Sequence, residues 1–245
     1  LFLVFLSLWF SSFAQTTVPV NGVRDKRPEY SLFKNATLHV DSKTTISGGW
    51  ILIKGDRILK VGKDFEIPKG TMIYDLTGKH LYPSFIDLDS DYGMPEIRRQ
   101  RPTNFYETQF NSQKEGAYSW NQALKPEVNA ADLFKIDEKA ASEFRKIGFG
   151  AVVSHSKDGI ARGTSALISL AGGTEKESLL KSQVAAHYSF EKGSSTQSYP
   201  VSLMGSVALL RQAIYDSKWY MAGGSISERN LSFEAMAKNL SLPSI

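Results

Sequence analysis

The chain has 245 residues, 42% of them hydrophobic and 22% charged, the balance of an ordinary globular protein with room for one large or two modest cores. Its net charge of +4 is mild, and its one tight basic cluster, Arg98, Arg99 and Arg101, lacks the interleaved aromatics of a nucleic-acid module, so no nucleic-acid partner is expected. It contains no cysteine, which excludes disulfides, thiolate metal sites, thiol nucleophiles and acylation through cysteine.

From Leu1 to Gln15 the sequence LFLVFLSLWFSSFAQ carries no charge. Its apolar core of about ten residues is half of the roughly 20 that a membrane-spanning helix needs. Ser12 and Ala14 place small residues at the minus-three and minus-one positions of a signal-peptidase site. Residues 1–14 therefore read as a signal peptide cut before Gln15, giving a periplasmic or secreted protein with no membrane span after cleavage. Residues 15–33 are polar, with Pro19, Pro28 and the run Arg24-Asp25-Lys26-Arg27, and read as an extended leader.

Short strands follow in residues 34–80: Ala36 to Val40, Trp50 to Lys54, Arg57 to Val61 and Met72 to Leu76. Gly55-Asp56 separates two of them as a two-residue hairpin loop. Strands this short at this spacing predict a piece of β-sandwich. The run Leu81 to Leu88 is then a buried strand rich in β-branched and aromatic residues, and Asp87, Asp89 and Asp91 stand at its end. Alternate side chains share a face of an extended chain, so these carboxylates form a row. Such a row is a candidate metal or acid–base site. It is also what the polar end of a strand gives on entering a solvent loop.

Gly93 to Leu133 has little periodicity, scattered prolines and several aromatics, and a loop of this length usually carries function. Ala131 to Ile147 predicts a helix with Ala140, Phe144 and Ile147 on one face. Gly148-Phe149-Gly150 stops it, and Ala151 to Val153 is a short buried strand. Strand, loop, helix and strand in that order make a βα unit of a parallel sheet. Gly159 to Leu170 and Val184 to Phe190 read as further strands. Leu203, Val207, Leu210 and Ile214 mark a second helix, and Ser225 to Leu240 a third.

The order of GGWILIKGDRILKVG (Gly48 to Gly62), Pro68 to Lys79 and KHLYPSFIDLDSDYG (Lys79 to Gly93) resembles the N-terminal region of the amidohydrolase superfamily, the imidazolonepropionase- and dihydroorotase-like metal-dependent hydrolases. In that pattern G-x-I-x-x-V-G leads into D-x-x-G-K-x-x-x-P-G-x-I-D-x-H-x-H. Asp75, Gly78, Lys79, Pro83, Ile86 and Asp87 match it, Ser84 replaces a glycine, and Asp89 and Asp91 replace the two metal-binding histidines. Tyr199 to Tyr220 is similar, more loosely, to exported bacterial amidohydrolase-like proteins. The resemblance implies an α/β fold with an all-β subdomain. Residues 34–80 would be the N-terminal part of a composite β-sandwich, and residues 81–245 the first βα units of an incomplete TIM-type (β/α)8 barrel. About 165 residues follow His80, against about 250 in a closed barrel, so the remainder of a parent chain is expected as partner.

The activity so implied is hydrolysis of a non-peptide C–N bond in a small amide substrate by a metal-activated water, with this segment catalytically altered. Asp89 and Asp91 are the candidate metal ligands. The divalent ion implied is Zn, Mn or Mg, with carboxylate oxygens favouring the harder ions, or none if the site has decayed. His155 with Asp158, just past the strand Ala151 to Val153, forms a secondary candidate. His39, His80 and His187 have no metal-ligand spacing and read as structural. Gly163-Thr164-Ser165-Ala166-Leu167 lacks the last glycine of a nucleophile elbow, and no dinucleotide or phosphate loop is present, so no organic cofactor site and no catalytic residue is assigned. The alternative is a non-catalytic binding or scaffold module derived from such a barrel, with Gly93 to Leu133 as its surface.

Overall fold

The computed structural model describes residues 29–98, 108–112, 114–224 and 229–245. The predicted signal peptide, most of the leader, Arg99 and Arg101 lie outside the described residues. The chain divides into two compact units at Pro83 and Ser84.

In the first unit β1 (Tyr30–His39), β2 (Thr45–Lys54), β3 (Arg57–Gly62), β4 (Met72–Asp75) and β5 (His80–Leu81) form one sheet in the order β3-β2-β1-β4, with β5 also on β1. β1, β2 and β3 pair antiparallel, whereas β4 and β5 run parallel to β1. The predicted hairpin is present, and Gly55 takes the positive φ of +57° that such a tight turn needs. β1 begins inside the stretch assigned to the leader. Leu32 explains this, because it is fully buried against Leu52 and Phe65 and draws the chain into the sheet. Trp50 meets the Phe65 ring edge-on with centroids 5.6 Å apart. Among the described residues this unit is a single sheet, without the second layer of a sandwich.

In the second unit β6 (Phe85–Ser90) and β7 (Phe149–Ser154) pair in parallel, with α1 (Ala130–Leu133) and α2 (Glu138–Lys146) between them. This is a βα unit. The helix predicted over 131–147 is two helices, because two side chains cap separate N-termini. Asn129 accepts from the backbone N–H of Ala131, and Asp137 accepts from that of Ala140. Beyond β7 the parallel succession stops. β9 (Ala166–Ser169) runs antiparallel to β7, and the four-residue α3 (Glu175–Ser178) leads to β10 (Leu179–Lys181), antiparallel to β9. β8 (Ala161–Thr164) and β11 (Ala186–Tyr188) form a separate antiparallel pair.

Two cores hold this unit. Tyr92, Phe134, Val152, Ile168 and Leu170 pack with Ala141 of α2. Leu124, Ile160 and Ala161 pack with Leu209 and Ala213 of α4 (Leu203–Trp219) and Met236 of α5 (Leu231–Asn239). α4 buries Ser206, Leu209, Ala213 and Ser217, while Leu203 and Val207 of the predicted apolar stripe are 62% and 46% exposed. No helix of the described residues is long and apolar enough to cross a membrane.

Candidate metal centre

Three strands, β6, β7 and β11, bring one side chain each, from the strand or the residue after it, to a common point. Asp89 is the penultimate residue of β6. His155 directly follows β7, and its backbone N–H donates to Ser90 O at 2.9 Å, which continues the β6–β7 ladder by one residue. His187 is the middle residue of β11. Asp89 Oδ1 lies 2.7 Å from His155 Nε2, and the His155 and His187 rings stack with centroids 3.8 Å apart and planes at 19°. One ligand atom from each of the three falls within 4.8 Å of the others. Both imidazoles are buried, and Asp89 faces solvent.

Proton bookkeeping shows what this arrangement lacks. His155 Nδ1 lies 3.0 Å from Ser156 O, and a carbonyl only accepts, so Nδ1 carries a proton. In a neutral ring Nε2 is then a bare lone pair, and it faces a carboxylate oxygen. Two acceptors at that distance need a shared proton or a metal ion between them. His187 adds an unmet group, because its Nε2 is buried with no hydrogen-bond partner among the described residues. Burial, with the charge of His155 beside it, pushes the His187 pKa down to about 4, so this ring is neutral at physiological pH and keeps a lone pair. The hydrogen bond from His155 holds the Asp89 carboxyl below the usual carboxylate range, with help from Lys157. Lys157 Nζ donates to Asp89 O at 3.0 Å and stands 3.8 Å from Oδ2. The donor set therefore fits a divalent ion. Two imidazoles and one carboxylate suit Zn²⁺, Mn²⁺ or Fe²⁺, and the Nδ1–H to carbonyl bond of His155 is the outer contact that usually fixes a ligating ring.

The sequence-predicted residues separate here. Asp89 and His155 come together, and His187 joins them. Asp91 does not. The side-chain Oδ1 of Asp87 accepts the Asp89 N–H at 3.1 Å, the β6–β7 register shifts between Asp87 and Ser90, and Gly93 turns the chain at φ +72°. The strict alternation that would align Asp91 with Asp89 is lost. Asp91 lines a separate cleft of about 490 Å³ with Tyr92, Met94 and Lys157. Asp158 turns away from His155 to an ion pair with Lys125, and accepts from the Ser194 N–H and hydroxyl at 2.7 Å each. These groups line a larger cleft of about 610 Å³ beside Ser156. In the first unit His39 Nε2 and His80 Nδ1 lie 3.0 Å apart, an exposed pair stacked on Tyr82. His187 escapes sequence reasoning because 31 residues separate it from His155. The signal available was a lone imidazole inside the apolar run Val184 to Phe190.

The fold has a counterpart among solved structures. Over 87% of its length the chain superposes on an amidohydrolase from Thermotoga maritima MSB8, with a TM-score of 0.63 and 24% identity. Over that stretch the chain shares the mixed α/β fold of that structure. It spans 57% of the length of that structure. Shorter overlaps occur with a D-hydantoinase (dihydropyrimidinase) from a Thermus species, at 30% identity over 27% of this chain and 14% of that one with a TM-score of 0.24. A prolidase complexed with N-methylphosphonate-L-proline matches at 17% identity over 50% of this chain and 25% of that one, with a TM-score of 0.25. No protein-family model and no curated protein matches the sequence.

Proposed function

We propose that the chain is the leading part of an exported, amidohydrolase-like protein that hydrolyses a non-peptide C–N bond in a small amide, with a divalent ion held by Asp89, His155 and His187. The single observation that carries this reading is the clustering of Asp89, His155 and His187, with one ligand atom of each within 4.8 Å of the others and His187 Nε2 buried and unpartnered among the described residues. β6, α2 and β7 would be the first βα unit of a TIM-type barrel, whose strand ends are where that architecture places chemistry. A divalent ion at such a site lowers the pKa of water and polarises a carbonyl oxygen.

The chain's own residues have separable tasks. Ser156 O fixes the His155 tautomer, so that Nε2 is the nitrogen presented to the site. Burial keeps His187 neutral. The hydrogen bond with His155, and then the charge of Lys157, hold the Asp89 carboxyl below the usual carboxylate range, and the exposure of Asp89 leaves the approach to the site open from solvent. The scaffold reading draws support from Asp91, which stands where the resembled pattern has a metal-binding histidine and yet remains outside the group. The test is turnover of a panel of cyclic and acyclic amides by the purified chain, before and after chelation and with Zn²⁺ or Mn²⁺ restored. Turnover that falls on chelation, returns with metal and is lost in His187→Ala supports the hydrolase. Metal binding without turnover of any amide favours the scaffold.

A further inference from the structure

The sheet of the first unit brings the other two histidines of the chain together. β5 pairs in parallel with β1 through only two residues, Thr37↔His80 and Leu38↔Leu81. Carrying that register one residue further sets His39 beside Tyr82, and their rings stack with centroids 4.2 Å apart and planes at 2°. His80 meets the edge of the same imidazole, its Nδ1 lying 3.0 Å from His39 Nε2. The other nitrogen of His39 lies 3.4 Å from Thr45 Oγ1, at the start of β2. A flat ring and a hydroxyl therefore fix His39, while the contact between the two imidazoles is open to solvent. Sequence spacing hides the pair, because 41 residues separate its members.

Two ring nitrogens this close share either a proton or an ion. For an ion bound to each nitrogen at about 2.0–2.1 Å, the nitrogens stand about 2.9 Å apart at a right angle and about 3.3 Å apart at a tetrahedral one. The observed 3.0 Å is near the first span, that of adjacent corners of a square. Square and tetragonal sites with imidazole ligands suit Cu²⁺ and Ni²⁺, whereas Zn²⁺ prefers the tetrahedron. Among the described residues no carboxylate or third histidine completes a group of three around this pair. Hard ions such as Mg²⁺ and Ca²⁺ therefore find no charged oxygen ligand, and water would fill the remaining corners around a softer ion. His80 is exposed, so its ring can tip to aim the lone pair at an ion that replaces the shared proton.

We infer that His39 and His80 form a second metal site, for Cu²⁺ or Ni²⁺, which clamps β5 to β1 across their two-residue pairing. The inference does not depend on the hydrolase reading, since both residues lie in the first unit and neither belongs to the group of Asp89. Two protein ligands leave the ion exchangeable, and exhaustive dialysis strips this site of Zn²⁺, which follows Cu²⁺ in the Irving–Williams order. The probe is Cu²⁺, titrated against glycine as competitor into the full chain carrying His187→Ala, which disables the other centre. That chain should take up about one Cu²⁺ whose electron paramagnetic resonance spectrum shows two imidazole nitrogens. Adding His39→Gln or His80→Gln should weaken this ion by at least about 10-fold, since even an outer contact of a metal ligand is worth that much, and should leave one nitrogen in the spectrum. Excess Mg²⁺ should not compete. Circular dichroism on each variant checks that the sheet is retained, and the spectrum of the His187→Ala chain tests the site even where a glutamine variant fails to fold. Unchanged Cu²⁺ affinity in folded glutamine variants, a single nitrogen in the His187→Ala spectrum, or no Cu²⁺ bound by that chain would overturn the inference. Cu²⁺ kept by His187→Ala with dialysis-resistant Zn²⁺ lost would show two separate sites.

Discussion

Asp158→Ala should cost the second unit about 3 kcal/mol, the lower end of the range for breaking a buried ion pair. Its side chain is 15% exposed and that of its partner Lys125 is 22% exposed. One carboxylate accepts from Lys125 Nζ, from the Ser194 N–H at 2.7 Å and from the Ser194 hydroxyl at 2.7 Å, while Lys125 also donates to Ser194 Oγ at 2.9 Å. Alanine leaves an ammonium and a backbone N–H without their acceptor in a half-closed cleft, and desolvated donors are expensive. Partial exposure lets water enter, which is why the lower end applies. For a unit of this size, about 3 kcal/mol is a fall in Tm of roughly 6–12 °C. Asp158→Asn, which keeps shape and one acceptor, should lose about half as much. Urea unfolding followed by circular dichroism reads both. A loss below about 1 kcal/mol in Asp158→Ala would refute the reasoning, because Lys125 and Ser194 would then be solvated as well without the carboxylate as with it. The same pair sets a pH signature. Burial alone would raise the Asp158 carboxyl, but the bonds from Lys125 and Ser194 hold it below its ordinary value. The stabilisation is therefore complete above the unfolded-state pKa of about 3.9 and fades as pH falls through the lower folded-state value. The gap between wild type and Asp158→Ala should be flat from about pH 5 to 7 and should close only below about pH 4.

Gly163→Ala must fit a Cβ against Val128 O in a left-handed conformation, and should lower stability by at least about 2 kcal/mol in the same unfolding experiment. Within α4, Leu209→Ala should cost about 2–5 kcal/mol and Leu203→Ala less than about 0.5, since only the first is buried. Equal losses would mean that the helix packs through its other face. Asp137→Ala removes the acceptor for the Ala140 N–H and should cost about 1 kcal/mol, with loss of helical signal at the start of α2.

How far the sequence reaches is visible in these same residues. The hairpin at Gly55 and the strand–loop–helix–strand order around β6 and β7 are local patterns and appear in that order, but the strand expected to be buried over Leu81 to Leu88 is Phe85–Ser90, with Phe85, Ile86 and Leu88 more than half exposed. The split between α1 and α2 was legible in principle, because Asn129 and Asp137 are ordinary caps standing inside a helical periodicity. The buried face of α4 was not. Ser206, Ala213 and Ser217 are buried because small residues permit close approach, and hydrophobic periodicity gives weight instead to Leu203 and Val207. At the site, Asp89 stood out by its place in a motif. Asp91 shared that place and lost its alignment where Asp87 Oδ1 accepts the Asp89 N–H, the β6–β7 register shifts and Gly93 turns the chain, details that spacing does not encode. His187 comes from a different strand pair, and only the packing of β11 brings its ring onto His155.

Asp89, His155 and His187, rather than Asp89 and Asp91, are the proposed ligands of the divalent ion. The direct measurement is metal content per chain, by elemental analysis after Zn²⁺ loading and exhaustive dialysis, for wild type, His187→Ala, Asp89→Ala and Asp91→Ala. Circular dichroism on each variant shows that the fold is retained. About one ion per chain is expected in wild type and in Asp91→Ala, and none in the other two. An ion lost from Asp91→Ala and kept by His187→Ala, or no ion in folded wild type, would contradict it.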